Sequence, residues 1–263
     1  MTSSDSYFVR TGEHSFEPTS HTSGAWNTAE QHISPLTGLV AHAIERAAGT
    51  DDGKTIARLS FDILGVVGLE PFSINVRTIR PGRTIELVEA VVQCADRDVL
   101  ICRAWRLADH DTAAIAGGQG AGLPSPDGLA DWDLSTVWPG GYIASVTGRP
   151  VTEPAAGHTT TWLRSPVTLL DNEPVSDFAR FIGLVDTANG IAVRESIDLW
   201  LFPNVDLSIH LFRQPRGLWL GLDTRVTFGP HGQGLTTSRL YDESGPVGAA
   251  EQALTIRPQS GHD

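Results

Sequence analysis

The hexapeptide LSFDIL at residues 59–64 returns as LSIHLF at residues 207–212, an offset of 148. Alternation of apolar and polar residues alone produces such echoes between strands. The order of the elements around them is what constrains the fold. Each half of the chain reads as a helix, an alternating strand, a second strand, a turn, a third strand, a tight turn and a fourth strand. In the first half the helix falls on PLTGLVAHAIERA, with Leu36, Leu39, Val40 and Ile44 as its apolar stripe. Ser34 is its expected N-cap, Pro35 its first helical residue and Gly49 its stop. Strand patterns follow over 57–64, 73–79, 84–95 and 99–107, an antiparallel meander with short hairpin-type connections. In the second half strands fall on 205–212, 217–228, 235–241 and 246–257, preceded by a strand over 159–165 and a short apolar element at 198–202. A repeat of this length is a duplicated domain rather than a solenoid.

The second-half helix, PVSDFARFIGLVDTANGI, spans 174–191. Phe178, Ile182 and Val185 recur at helical spacing with Phe181 and Leu184 beside them, so most of it faces a core. Pro174 suits its start and Gly190 its stop. Near its end Asp186 drops a carboxylate into otherwise apolar surroundings. An unpaired buried charge is costly. Either Asp186 caps the following loop, bonding nearby amides through DTANG, or it serves a site. The repeat bears on that choice. An offset of 147, taken from the closing strands, puts Trp105 opposite Gln252 and Leu39 opposite Asp186. The polar pair then exists in the second half alone, which favours a single site, with the first half supplying packing and a pocket wall.

A chain of 263 residues, 40% hydrophobic and 19% charged, can bury a substantial core as one large domain or two smaller ones. Its net charge of −12, with Lys54 as the single lysine, argues against a nucleic-acid partner and an anionic membrane surface. A local arginine patch would still admit an anionic ligand. The polar N-terminus offers no apolar signal core, and no apolar run reaches the roughly 18 residues of a membrane span. A soluble, cytoplasmic protein is expected. Cys94 and Cys102 lie in strand-like runs without metal spacing and are expected to be buried thiols. No metal site or cofactor is expected. The domain reading is a first lobe with a polar arm over 1–107, a linker over 108–158, and a second lobe with the site over 159–263. The linker opens on an Ala-, Gly- and Pro-rich stretch, continues through the aromatic anchors Trp132, Trp138 and Tyr142, and closes on TGRPVTEPAAGH.

Four second-half stretches carry a resemblance: FIGLVDTANG, VDLSIHLFRQP, GLWLGLDTRV with GPHGQG, and RLYDESGPVGAAEQALTIR. They make the chain similar to double-hotdog acyl-CoA thioesterases of the acyl-CoA thioesterase II type, over nearly all residues from Trp26 to Arg257. The resemblance implies an α+β fold in which a curved antiparallel sheet wraps a central helix, twice in one chain. It implies an enzyme that hydrolyses acyl-CoA to free acid and CoA. Curved sheets of this kind leave edges and faces for a homo-oligomer to bury.

Members of that family use an Asp on the second-lobe helix, a Thr or Ser in a following strand and a Gln on the last strand. Asp186 and Gln252 match. At the hydroxyl position stands Asn204, in FPNVDLS, which donates and accepts hydrogen bonds without being a hydroxyl. Thr187 and Ser208 are the alternatives for that role. Many relatives carry Gly-Gly-Gln before the first-lobe helix. Here EQHISPLTG puts Gln31 and His32 near the path of the thioester. His32, Thr187, Asn189 and Ser208 are therefore the candidate substrate-binding residues. The implied chemistry has Asp186 as general base on water or as direct nucleophile, with Gln252 and Asn204 orienting the water. Backbone N–H groups at a helix N-terminus of the opposite lobe would receive the oxyanion.

Other hotdog chemistries lack their residues. TANGI after Asp186 holds no His of a hydratase D-x-x-x-x-H pair, and no G-x-S-x-G elbow occurs. Each candidate also has a plainer reading. Gln252 can satisfy backbone groups of the sheet. Asn204 can be a turn residue after Phe202-Pro203. His32 can be a cap, and Arg77, Arg80 and Arg83 a solvated face rather than a phosphate contact. The alternative function is a protein that binds an acyl or other hydrophobic ligand without turnover, or one repurposed within a biosynthetic pathway.

Overall fold

The computed structural model describes residues 5–49 and 52–259. Residues 1–4 of the expected arm, the pair 50–51 and the last four residues of the expected second lobe lie outside the described residues. In the first half β1 (Ser6–Arg10) and β2 (Ser15–Pro18) precede α1 (Ile33–Ala48), β3 (Lys54–Ile63), β4 (Phe72–Arg80), β5 (Ile85–Cys94) and β6 (Arg97–Ala108). Then come α2 (Gly141–Ser145), β7 (Thr147–Pro150), β8 (His158–Arg164), β9 (Thr168–Leu170), α3 (Asp177–Val185) and α4 (Ala188–Ile191). The second half closes with β10 (Trp200–Leu201), β11 (Asp206–Leu211), β12 (Leu220–Phe228), β13 (Gln233–Asp242), β14 (Gly245–Thr255) and β15 (Arg257–Pro258).

Among the described residues thirteen strands form one sheet in the order β7-β8-β12-β13-β14-β11-β3-β6-β5-β4-β2-β1-β9, and β10 pairs with β15 apart from it. The element order of each half is the expected one, but its pairing is not a simple meander. In the first half β4, β5 and β6 are joined by successive hairpins. β3 lies beside β6, and its other edge meets β11. The second half repeats this arrangement, with β12, β13 and β14 in sequence and β11 beside β14. The chain is a double hotdog.

The join between halves is the echoed hexapeptide itself. Ser60 pairs with Ser208, Leu59 with Ile209 and Phe61 with Leu207. Ser60 and Ser208 are also repeat equivalents at the offset of 148. The seam is therefore self-complementary, with a pseudo-two-fold axis between the two serines, as in an isologous interface.

That axis corrects the pairing of the halves. Ser60 faces Arg103 and Ser208 faces Glu251, again an offset of 148, so the counterpart of Gln252 is Ala104 rather than Trp105. A one-residue slip in a strand exchanges its faces; Ala104 is buried and Trp105 lies on the other side. The helices cross at Gly38 and Gly183, where a Cβ on Gly38 would stand 2.7 Å from the Ala179 carbonyl oxygen and 2.8 Å from Gly183 Cα. Their offset is 183 − 38 = 145, which sets Ala41 rather than Leu39 opposite Asp186. Both counterparts are buried alanines, so the polar pair is still confined to the second half.

Helix ends differ from expectation for local reasons. His32, not Ser34, caps α1, its Nδ1 accepting the Ser34 amide at 3.1 Å. Pro35 thus occupies the third helical position, still within the turn whose amides have no intrahelical acceptor. The expected helix over 174–191 is two helices. α3 starts behind Ser176, whose hydroxyl accepts the Ala179 amide at 3.0 Å. It stops at Val185, because the Thr187 amide bonds Leu184 O at 3.2 Å and tightens the last turn. Asp186 is the residue at that break.

Leu36, Leu39, Val40 and Ile44 of α1 and Phe178, Ile182 and Val185 of α3 are buried. Each such side chain contributes about 1.5–3 kcal/mol. In the stretch 108–158, Trp138 and Tyr142 dock as buried anchors, and β7 adds a strand to the second-half sheet. Cys94 and Cys102 are buried and free. Among the described residues no helix is long and apolar enough to cross a membrane.

Candidate active site at the junction of the halves

A cavity of about 300 Å³ opens between the halves. Its walls are the loop before α1 (Trp26, Gln31, His32), the turn after β3 (Leu64 to Val67), Trp138 and Ile143 of the linker, and Asp186, Asn189 and Asn204 of the second half. The break after α3 delivers Asp186 to this space, buried at 6% exposure.

Two amides hold its carboxylate. Asn204 Nδ2 donates to Oδ1 at 2.8 Å and Gln252 Nε2 donates to the same oxygen at 2.9 Å. Asn204 is set just before β11 by its bridge to Leu254, and its Nδ2 also donates to Asp206 O at 3.0 Å. Gln252 points inward from β14 and is 1% exposed; its Oε1 has no partner among the described residues. Burial pushes the Asp186 carboxyl up to about 6, against the pull of the Asn204 and Gln252 amides.

With Oδ1 held by both amides, Oδ2 is the oxygen nearest His32, 3.9 Å from Nδ1. This contact is not an ion pair. It is too long for a hydrogen bond, the Nδ1 lone pair already accepts the Ser34 amide, and burial lowers the imidazole to about 3. At neutral pH the site therefore presents an ionised carboxylate beside a neutral ring. One oxygen is clamped, and the other is available to take a proton or to attack.

The other expected residues separate. Thr187 and Asn189 line the cavity, but both are engaged. The Thr187 hydroxyl lies 2.6 Å from Tyr142 Oη and 3.2 Å from Ser34 Oγ. Asn189 Nδ2 donates to Phe202 O at 2.9 Å, and its Oδ1 accepts from Thr236 at 3.4 Å. Ser208 does not reach the cavity: alternation along β11 turns Leu207 and Ile209 inward and leaves Ser208 on the outer face at the seam. Of the three residues considered for the hydroxyl role, Asn204 is the one bonded to the Asp186 carboxylate.

Tyr142 was legible as a docking anchor and not as a site residue, yet its ring lies 4.3 Å from the His32 ring. Trp138 Nε1 donates to Gly190 O at 2.8 Å, tying the linker to α4. Among the described residues no arginine or lysine lines the cavity. Arg77 is bonded to Glu89, and Arg80 to Ile85 O at 2.8 Å.

Two crossed helices inside one doubled sheet, with an amide-clamped carboxylate where the halves meet, define a double-hotdog protein with a candidate site at their junction. The chain belongs to the acyl-CoA thioesterase family: residues 22–107 match the acyl-CoA thioesterase N-terminal domain and residues 114–256 the C-terminal domain. It is thus a thioester hydrolase by family. None of the curated proteins matches it in sequence. Solved structures share its fold at low identity. A conserved protein of unknown function with a hot dog fold from Alicyclobacillus acidocaldarius superposes with a TM-score of 0.72 at 14% identity, over 98% of this chain and 97% of that one. The acyl-CoA thioesterase II TesB2 from Mycobacterium marinum gives 0.69 at 16% identity, over 97% and 96%. A candidate thioesterase II from Thermobifida fusca YX gives 0.70 at 18%, over 95% of each chain.

Proposed function

We propose that this protein hydrolyses acyl-CoA thioesters to the free acid and CoA, with Asp186 as general base and Asn204 and Gln252 as the amides that hold it. The observation that carries the reading is the buried carboxylate with one oxygen bonded by both amides and the other facing the cavity side. A water proton passes to Oδ2 as the water oxygen bonds the thioester carbon. The proton then leaves Asp186 for the sulfur as the C–S bond breaks. A carboxyl raised to about 6 suits both transfers better than an ordinary one, because its pKa lies nearer neutrality. The apolar wall of Trp26, Ile63, Leu64, Val66, Val67 and Ile143 gives the acyl chain or the pantetheine arm its surface. CoA phosphates lie beyond this wall in this reading, since among the described residues no cation lines it. A homo-oligomer belongs to the same reading; exposed Leu199, Phe212 and Leu218 offer apolar surface for one.

The test is free-thiol release from short, long and aromatic acyl-CoAs, with wild type beside Asp186→Asn. Release should occur for part of the panel and fall by about 10²–10⁴-fold in the variant, the usual worth of a positioned base. No release from any member by folded wild type would replace hydrolysis with ligand binding.

A further inference from the structure

The first turn of α1 is a poor source of backbone donors. The Ser34 amide is taken by His32 Nδ1. Pro35 has no N–H. The amides of Gln31 and His32 bond Val67 O and Thr22 O, each at 2.8 Å. Ile33 alone in this stretch keeps an amide without an acceptor among the described residues. The charge that develops on a thioester oxygen needs donors about 2.7–3.1 Å away. The expected backbone oxyanion hole is therefore incomplete.

His32 supplies what is missing. A backbone amide can only donate, so the Ser34 N–H fixes Nδ1 as the acceptor and places the ring proton on Nε2. The Tyr142 ring packs against the imidazole at 4.3 Å between centroids and 34° between planes, which fixes its plane. The side chain is 14% exposed, lines the cavity and comes within 3.9 Å of Asp186 Oδ2 through Nδ1. Among the described residues nothing is bonded to Nε2.

We propose that the Nε2–H of His32 is the side-chain oxyanion donor of the site, hydrogen-bonded to the thioester carbonyl oxygen. This rests on the thioesterase reading above. When the water oxygen bonds the carbonyl carbon, the C=O π pair moves onto oxygen, where His32 meets it, and the water proton goes to Asp186. When the C=O bond reforms, the C–S bond breaks and Asp186 protonates the sulfur. His32 keeps its proton throughout. Burial holds the ring neutral, so the tautomer persists at working pH. A neutral imidazole at a helix N-terminus acts as an electrophile in this way in triosephosphate isomerase.

Two variants separate the ring's roles. Asn places an oxygen near the δ position and keeps the cap, but removes the ε donor. Gln places an N–H₂ near the ε position. With the most active member of the acyl-CoA panel, His32→Asn should lower kcat by about 10²–10³-fold, the cost of one lost oxyanion donor. Its KM should be nearly unchanged, and His32→Gln should recover much of the rate. A second readout needs no turnover: the infrared carbonyl stretch of a bound acyl-CoA ketone analogue, with CH₂ in place of sulfur. It should shift to lower frequency on wild type and lose that shift on His32→Asn. Asp186-dependent thiol release with His32→Asn at wild-type kcat would overturn the assignment and leave the hydrolase standing. No release, with a carbonyl shift that depends on His32, would keep the donor and overturn the hydrolase. Neither signal would overturn both.

Discussion

Replacing Asp186 with Asn should make the protein more stable at neutral pH while disabling it. The ordinary value of 3.8 for this carboxyl stands at about 6 in the fold, because burial outweighs the two amide hydrogen bonds. Each pKa unit is about 1.4 kcal/mol, so the ionised group costs the folded state about 3 kcal/mol. The sign follows from linkage. Below about pH 4 the carboxyl is protonated in folded and unfolded chains alike and the cost vanishes. As pH rises towards 6 the unfolded chain ionises first, and stability falls. Above 6 the whole cost is present. Asn carries no such dependence, and its Oδ1 can still accept from Asn204 and Gln252. Urea unfolding of the two proteins should show Asp186→Asn ahead by up to about 3 kcal/mol at pH 7.5, with the gap closing towards zero near pH 4 and no change in m-value. Because the comparison is a difference, other titrating groups cancel. A variant that is less stable at pH 7.5, or a gap that does not narrow on acidification, would refute the picture of a desolvated carboxylate maintained at the expense of stability.

Gly38→Ala should destabilise the protein by about 1–3 kcal/mol in thermal unfolding, since its Cβ meets backbone of α3 rather than a flexible side chain. Gln252→Leu removes one of the two donors that lower the Asp186 pKa. Activity should drop, and the acid limb of the kcat/KM profile should move to higher pH than in wild type, measured on the same acyl-CoA.

What the sequence disclosed was periodic and local. The duplicated element order, the strands and the helix stripes follow from apolar spacing, whereas the pairing of Asp186 with Gln252 came from the resemblance to a family. The echo LSFDIL/LSIHLF identified two strands but not that they pair with each other, because alternation fixes a face and not a partner. The counterparts of Gln252 and Asp186 were misplaced by one and two residues because a single offset of 147 was applied where the strands repeat at 148 and the helices at 145. Ser208 was a reasonable polar candidate in composition, but its parity on β11 points it outward. The His32 cap was hidden by a better-known signal, Ser-Pro, two residues on. Tyr142 entered the site from a linker about 45 residues upstream of Thr187, a contact no local pattern encodes. Its trace in sequence was its place among the aromatic anchors Trp132, Trp138 and Tyr142.

The measurement that bears most directly on the central claim is the pH dependence of kcat/KM for the best acyl-CoA substrate between pH 4.5 and 8.5, with protein stability followed in parallel. A buried Asp186 acting as base predicts a tenfold rise per pH unit up to a break at about 6, then a plateau. A profile that is flat across the range, or one that breaks near the ordinary carboxylate value of 3.8, would contradict it.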